Sequence, residues 1–306
     1  MSPIRWEQHA VSKASKCSPA ELGHREGFFV ADILAAAPKG DAVSMEHPLF
    51  ALKAGDRRVR TYERNGLVVT VKPGSDGCAT IHDKDLWIYC ISQLVEAKNR
   101  GRPITPTVRF TAYDFLRSTN RSTGGVGYRR IVGMLARLRG TGIETNIETN
   151  GQRERRGFGL IDSWRIVEKS PTDDRVTAIE VDLPHWLFRS VATMRVLTLS
   201  RDYFKLRKPL ERRIYELARK HCGLQPKWRV SVTVLYAKSG STATLREFRR
   251  QIKELSVINL LPDYQISLDT ERDHVTFFAN REDREKAAAR NLSLNGALIS
   301  SAAARY

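Results

Sequence analysis

Residues 244–255, T-L-R-E-F-R-R-Q-I-K-E-L, restrict the fold of this chain more than any other stretch. At about 100° per residue, Leu245, Phe248, Ile252 and Leu255 fall on one stripe, while Arg246, Arg249, Arg250 and Lys253 crowd the adjoining face. Thr244 followed by Glu247 is a capping-box start, so the helix has a marked beginning. The polar turn Ser239-Gly240-Ser241-Thr242 leads into it. Such a helix lays its apolar back on a core and turns an arginine front outward. In a major groove that front would meet phosphates and base edges, which is the chemistry of a recognition helix. A solvated basic surface helix has the same pattern. What separates the readings is that the chain builds this unit twice.

The earlier copy is a helix over 126–139, with Tyr128, Ile131, Val132, Leu135 and Leu138 as its stripe and Arg129, Arg130 and Arg137 opposite. Before it come a helix over 83–99, a short strand over 107–110 and a helix opened by Thr111 and Asp114. The loop over 120–127 carries Arg121 among glycines. After it the period changes to that of a strand. Residues 143–149 and 158–168 alternate around a turn bearing Arg153, Arg155 and Arg156, and 176–183 supply a third strand. Helix, strand, helix, turn, helix, hairpin is the order of a winged helix, whose arginine-rich tip would touch the DNA backbone.

The second copy opens with a helix over 209–221. Residues 230–237 read as a strand passing quickly into the first helix of the turn motif, and 264–268 with 274–279 as a closing hairpin. Its tip, 269–273, is mostly acidic and is expected to pack or to meet protein. The expected fold is therefore α+β, two tandem winged-helix domains behind a mostly extended N-terminal region. The divisions are residues 1–80 (arm and hairpin), 81–192 (first domain), 193–280 (second domain) and 281–306 (tail).

A formal charge of +17 spread over 306 residues repels itself unless a polyanion neutralises it. Nucleic acid is the leading partner and a membrane surface the weaker one. No apolar run has the length of a transmembrane helix, so the cytoplasm, in association with DNA, is the expected location. Cys17, Cys78, Cys90 and Cys222 are scattered without a CxxC pair, as suits idle thiols in a reducing compartment.

Several runs carry a resemblance: Met45-Glu46-His47-Pro48, Gly142-Ile143-Glu144-Thr145-Asn146-Ile147, Phe158-Gly159-Leu160-Ile161, and above all 197–223, from Leu197-Thr198-Leu199-Ser200-Arg201-Asp202-Tyr203-Phe204 to His221-Cys222-Gly223. In these, over about residues 25–280, the chain resembles the replication initiator protein A family of bacterial plasmids. The resemblance implies tandem winged helices that bind repeated origin sequences (iterons) and recruit host initiator and helicase machinery. It also implies that homodimers and repression of the chain's own promoter occur in some relatives. It supplies no residue list.

Enzymatic chemistry finds no platform. None of His9, His24, His47, His82, His185, His221 and His274 forms a His-x-His pair of the kind rolling-circle nickases use. No Walker-type loop is present, and Gly124-Gly125-Val126-Gly127 lacks the following Lys-Ser/Thr. No catalytic residue, metal or cofactor is expected. The candidate double-stranded DNA contacts are Arg121, Arg129, Arg130, Arg137, Arg153, Arg155 and Arg156 in the first domain. Lys205, Arg207, Lys208, Arg246, Arg249, Arg250 and Lys253 serve the second, with Arg212 and Arg213 adding backbone attraction. A transcriptional regulator needs the same groove-reading surface, and a non-specific architectural protein needs only the charge.

Overall fold

The computed structural model describes residues 37–64, 66–149, 152–170, 173–223 and 225–280. The expectations for residues 1–36 and 281–306 lie outside them. Strand β1 (Lys39–Asp41) runs into helix α1 (Ala42–Glu46), and the Asp41 carboxylate caps that helix by accepting from the Val43 and Ser44 amides. Strands β2 (Arg60–Arg64) and β3 (Leu67–Lys72) form the expected hairpin. Helix α2 (Lys84–Asn99), strand β4 (Thr107–Phe110), helix α3 (Ala112–Ser118) and helix α4 (Gly125–Gly140) follow.

Four strands come next: β5 (Gly142–Thr149), β6 (Gln152–Gly159), β7 (Ser163–Ser170) and β8 (Asp173–Asp182). Helix α5 (His185–Ala192), strand β9 (Val196–Thr198) and a 3-10 turn, Arg201–Lys205, lead to helix α6 (Pro209–His221). The chain then forms β10 (Lys227–Ser231), α7 (Val232–Ser239), α8 (Leu245–Ile258), β11 (Tyr264–Asp269) and β12 (His274–Ala279).

One order of six elements occurs twice. Helix α2, strand β4, helices α3 and α4 and strands β7 and β8 match α6, β10, α7, α8, β11 and β12 in type and sequence. The sheets match as well: β4-β8-β7 and β10-β12-β11, each antiparallel, with the last strand in the middle. The mixed reading of residues 230–237 resolves where Ser231 ends β10 and caps α7.

The arginine-rich hairpin is not the wing of the first unit. Strands β5 and β6 are inserted between α4 and β7 and join the N-terminal hairpin in a sheet of order β2-β3-β5-β6. Arg153, Arg155 and Arg156 thus lie on strand β6 at the edge of that sheet, instead of in a turn. The hairpin in the wing position is β7–β8. Nor are residues 39–80 an extended arm. Strand β1 pairs with β9, Leu49 and Phe50 enter the first core, and Met45 enters the second.

Each unit has its own apolar centre. Trp87, buried in the first, packs edge-on against Phe50 and donates its indole N–H to the Leu160 carbonyl at 2.8 Å. Phe248, Ile252 and Leu255 are buried in the second, as the sequence stripe requires. Removing such surface from water stabilises by about 25 cal/mol per Å². Among the described residues no helix is long and apolar enough to cross a membrane.

A candidate nucleic-acid interface

Helices α4 and α8 begin at Gly124 and Thr244, and Arg129 and Arg249 are each the fifth residue after those caps, followed by Arg130 and Arg250. The Thr244 hydroxyl accepts from the Glu247 amide at 3.2 Å, fixing the first turn of α8. On α4, Gly127 permits the close helix–loop approach of the turn, since a Cβ there would lie 2.1 Å from the Ser122 carbonyl oxygen. In the second unit the close approach comes at Gly240, which ends α7 at φ +68° and where a Cβ would lie 2.6 Å from Pro48.

The structure sorts the candidate cations by what holds them. Arg129, Arg130, Arg207, Arg246 and Lys253 are exposed and carry no ion pair among the described residues. Arg130 and Arg207 both line a cleft of about 800 Å³ to which the two units contribute. Lys205 pairs with Asp202 at 2.8 Å and Lys208 with Glu211 at 3.5 Å, both cations well exposed. Arg155 pairs with Glu144 at 3.0 Å while staying 82% exposed, and Arg156 is exposed beside it. The side chain of Arg153 lies outside the described residues. Arg250 is flanked on its own helix by Glu247 and Glu254, and Arg249 is held by Asp273 across from it.

Four of the arginines expected at the DNA are structural. Arg137 grips Asp83 with two bonds, Nε to Oδ2 at 2.8 Å and Nη2 to Oδ1 at 2.7 Å. That carboxylate raises the Arg137 pKa further. Arg121 donates to the His82 carbonyl and to Asp85. Arg212 and Arg213 are each 2% exposed. Arg212 reaches Asp85 at 2.5 Å, while Arg213 donates to the carbonyls of Ser44, Met45 and Lys238 and to Glu216 at 3.3 Å. They are ordered by groups inside the protein, so their charges are consumed there.

These contacts form the joint between the units. Lys84 and Asp85 begin α2, Arg212, Arg213 and Glu216 lie on α6, and Lys84 meets Glu216 at 2.8 Å with both side chains buried. Burial pushes the Lys84 ammonium down from its ordinary value, and Glu216 opposes that shift. Tyr203 donates to the same Glu216 at 2.8 Å. The run Met45-Glu46-His47-Pro48 closes the joint: Met45 enters the second core, Glu46 binds Lys238 and His221, and Pro48 covers Gly240. The His221 and Lys238 bonds hold the Glu46 carboxyl well below the usual range. His221 also stacks on Trp228 at 4.7 Å, a core role.

Sequence reasoning missed this joint. Its only local signal was a pair of charges at the start of each of two apolar helices, Lys84-Asp85 and Arg212-Arg213.

The model of the family Replication initiator protein A matches residues 39–266. A protein of Wigglesworthia glossinidia brevipalpis described as a "Putative replication protein" is 43% identical over 255 residues, 83% of this chain and 93% of that protein. Among solved structures, domains 2 and 3 of RctB superpose with a TM-score of 0.57 at 11% identity, over 78% of this chain and 98% of theirs. A second structure of the same domains gives a TM-score of 0.50 at 12% identity over 79% and 98%. At such identity the likeness is one of fold. The family match runs from β1 into β11, through the first unit, the joint and most of the second unit, and the chain belongs to the replication initiator protein A family.

Proposed function

We propose that both six-element units are winged-helix modules and that the chain binds repeated origin DNA sequence-specifically through α4 and α8. The observation that carries this reading is the repeat itself: two helices, each in the third-helix position of its unit, with exposed arginines at the same places after their caps. Arg129, Arg130, Arg246 and Lys253 would face the grooves, because they are exposed and carry no ion pair among the described residues. Arg207 and Lys208 would add attraction for the backbone, as would Arg155 and Arg156 from the edge of the inserted sheet. A charge of +17 supports the same partner, since cations displacing condensed counterions drive association with DNA.

In this reading the chain acts by binding and assigns no catalytic step to itself. Occupied repeats would strain a neighbouring A·T-rich segment and gather host initiator and helicase proteins, with the deformation energy drawn from the contacts. Homodimers belong to the same proposal. The test is a minimal-origin plasmid lacking the gene. Supplying the wild-type chain in trans is expected to restore autonomous replication, and supplying Arg129→Ala/Arg246→Ala is not. Replication without the gene, with only neighbouring transcription altered, would make the chain a regulator instead.

A further inference from the structure

The acidic tip of the last hairpin touches the arginine front of α8. Asp273, the last residue before β12, takes Arg249 Nε on Oδ1 at 2.9 Å and Arg249 Nη2 on Oδ2 at 2.8 Å. The pair holds the Asp273 carboxyl below its ordinary range and raises the arginine. Asp273 is fixed in turn. Its backbone sits at φ +52° and its carbonyl accepts from the Val232 amide at 2.9 Å, which ties the turn to the start of α7. The neighbouring turn is stiffened by Asp269, which accepts from the Arg272 amide at 3.0 Å and lies 3.4 Å from Arg229. Arg249 and Asp273 open onto a groove of about 520 Å³ shared with Lys253, Leu268 and Thr270.

A carboxylate at a DNA-facing surface is repelled by phosphate, so its presence calls for a compensating gain. The bidentate contact uses two of the five guanidinium N–H donors and fixes the plane of the fork. The outer donors are left free, and a guanine edge offers O6 and N7 at the spacing an arginine fork matches. Arg250, clamped between Glu247 and Glu254 along its own helix, has no such outward support.

We propose that Asp273 is a positioning residue for specificity: it aims Arg249 at one guanine, trading general affinity for selectivity at that base pair. The inference rests on the DNA-reading function above. It predicts opposite signs for two quantities. Asp273→Asn keeps the shape, and asparagine tolerates a left-handed backbone, yet it removes both the clamp and the repulsion. Affinity for arbitrary duplex DNA should hold or rise, while selectivity at one base pair falls.

The experiment selects bound molecules from a pool of randomised duplexes with the full chain, at fixed salt, for wild type, Asp273→Asn, Arg249→Lys and Arg249→Ala. The wild type is expected to return a motif with one G·C pair that Arg249→Ala erases. Asp273→Asn and Arg249→Lys should each lose about tenfold preference at that same pair, with the other positions intact. Wild-type preference retained at that pair in Asp273→Asn overturns the inference and leaves the DNA-reading function standing. A loss spread evenly over all positions makes Asp273 a support for the hairpin and also overturns it. No motif from the wild type removes the DNA-reading function, and the inference with it.

Discussion

Asp85→Asn tests whether the joint between the units is held by charge. Asp85, 1% exposed in its side chain, accepts from Arg212 at 2.5 Å and from Arg121 at 2.7 Å. The asparagine keeps the volume but removes the charge and aims N–H donors toward guanidinium groups. Arg212, 3% exposed in its side chain, is left as a buried cation without its carboxylate, at a cost of about 3–5 kcal/mol. Arg121 is 23% exposed and can turn to water, so it adds little. Against a total of about 5–15 kcal/mol, that loss is a large fraction. It corresponds to about 5–8 °C in Tm for a 306-residue chain.

Urea unfolding followed by circular dichroism measures the loss directly. The double replacement Asp85→Leu/Arg212→Met should recover most of it, because the desolvation penalty disappears with both charges. A loss under about 1 kcal/mol in Asp85→Asn would mean that the pair is solvated and that the joint is held by apolar contacts alone; that is the scale of an exposed pair.

The remaining predictions separate binding arginines from structural ones. Arg246→Ala should leave stability within about 0.5 kcal/mol and cost about 1–3 kcal/mol in binding to the selected duplex, read by fluorescence anisotropy. Arg137→Ala should reverse that ranking, with a lower Tm and little change in affinity per folded molecule, because its partner is Asp83. Glu46 has a folded pKa depressed below 4.5, so its contribution is present above that value and lost as pH falls through the acid range. Wild type should therefore lose more Tm than Glu46→Gln between pH 5 and about 3. Gly127→Ala should destabilise by about 1–3 kcal/mol in thermal melts, since the new methyl meets the Ser122 carbonyl.

What the sequence revealed was local. The stripe Phe248, Ile252 and Leu255 and the cap at Thr244 are written within a few turns, and they stand in the structure as expected. The acidic tip meets the arginine front of α8 through an exposed Asp273–Arg249 pair, a contact the sequence does not announce. What stayed hidden depends on partners far along the chain. Arg137 has the same spacing as a groove-facing cation, but its carboxylate lies 54 residues earlier. Arg212 meets Asp85 across 127 residues, so from sequence alone a basic run at a helix start reads as attraction for the DNA backbone. The hairpin of β5 and β6 alternates as any hairpin does. Only its pairing with β3, Val69 to Thr145 and Val71 to Ile143, assigns it to a different sheet.

Methylation interference on the native origin repeat, with wild type, Arg129→Ala and Arg246→Ala side by side, tests whether both units read DNA. Two separate clusters of sensitive guanines are predicted for the wild type, Arg129→Ala removing sensitivity within one and Arg246→Ala within the other. A single cluster, or two that neither variant alters, would contradict the account.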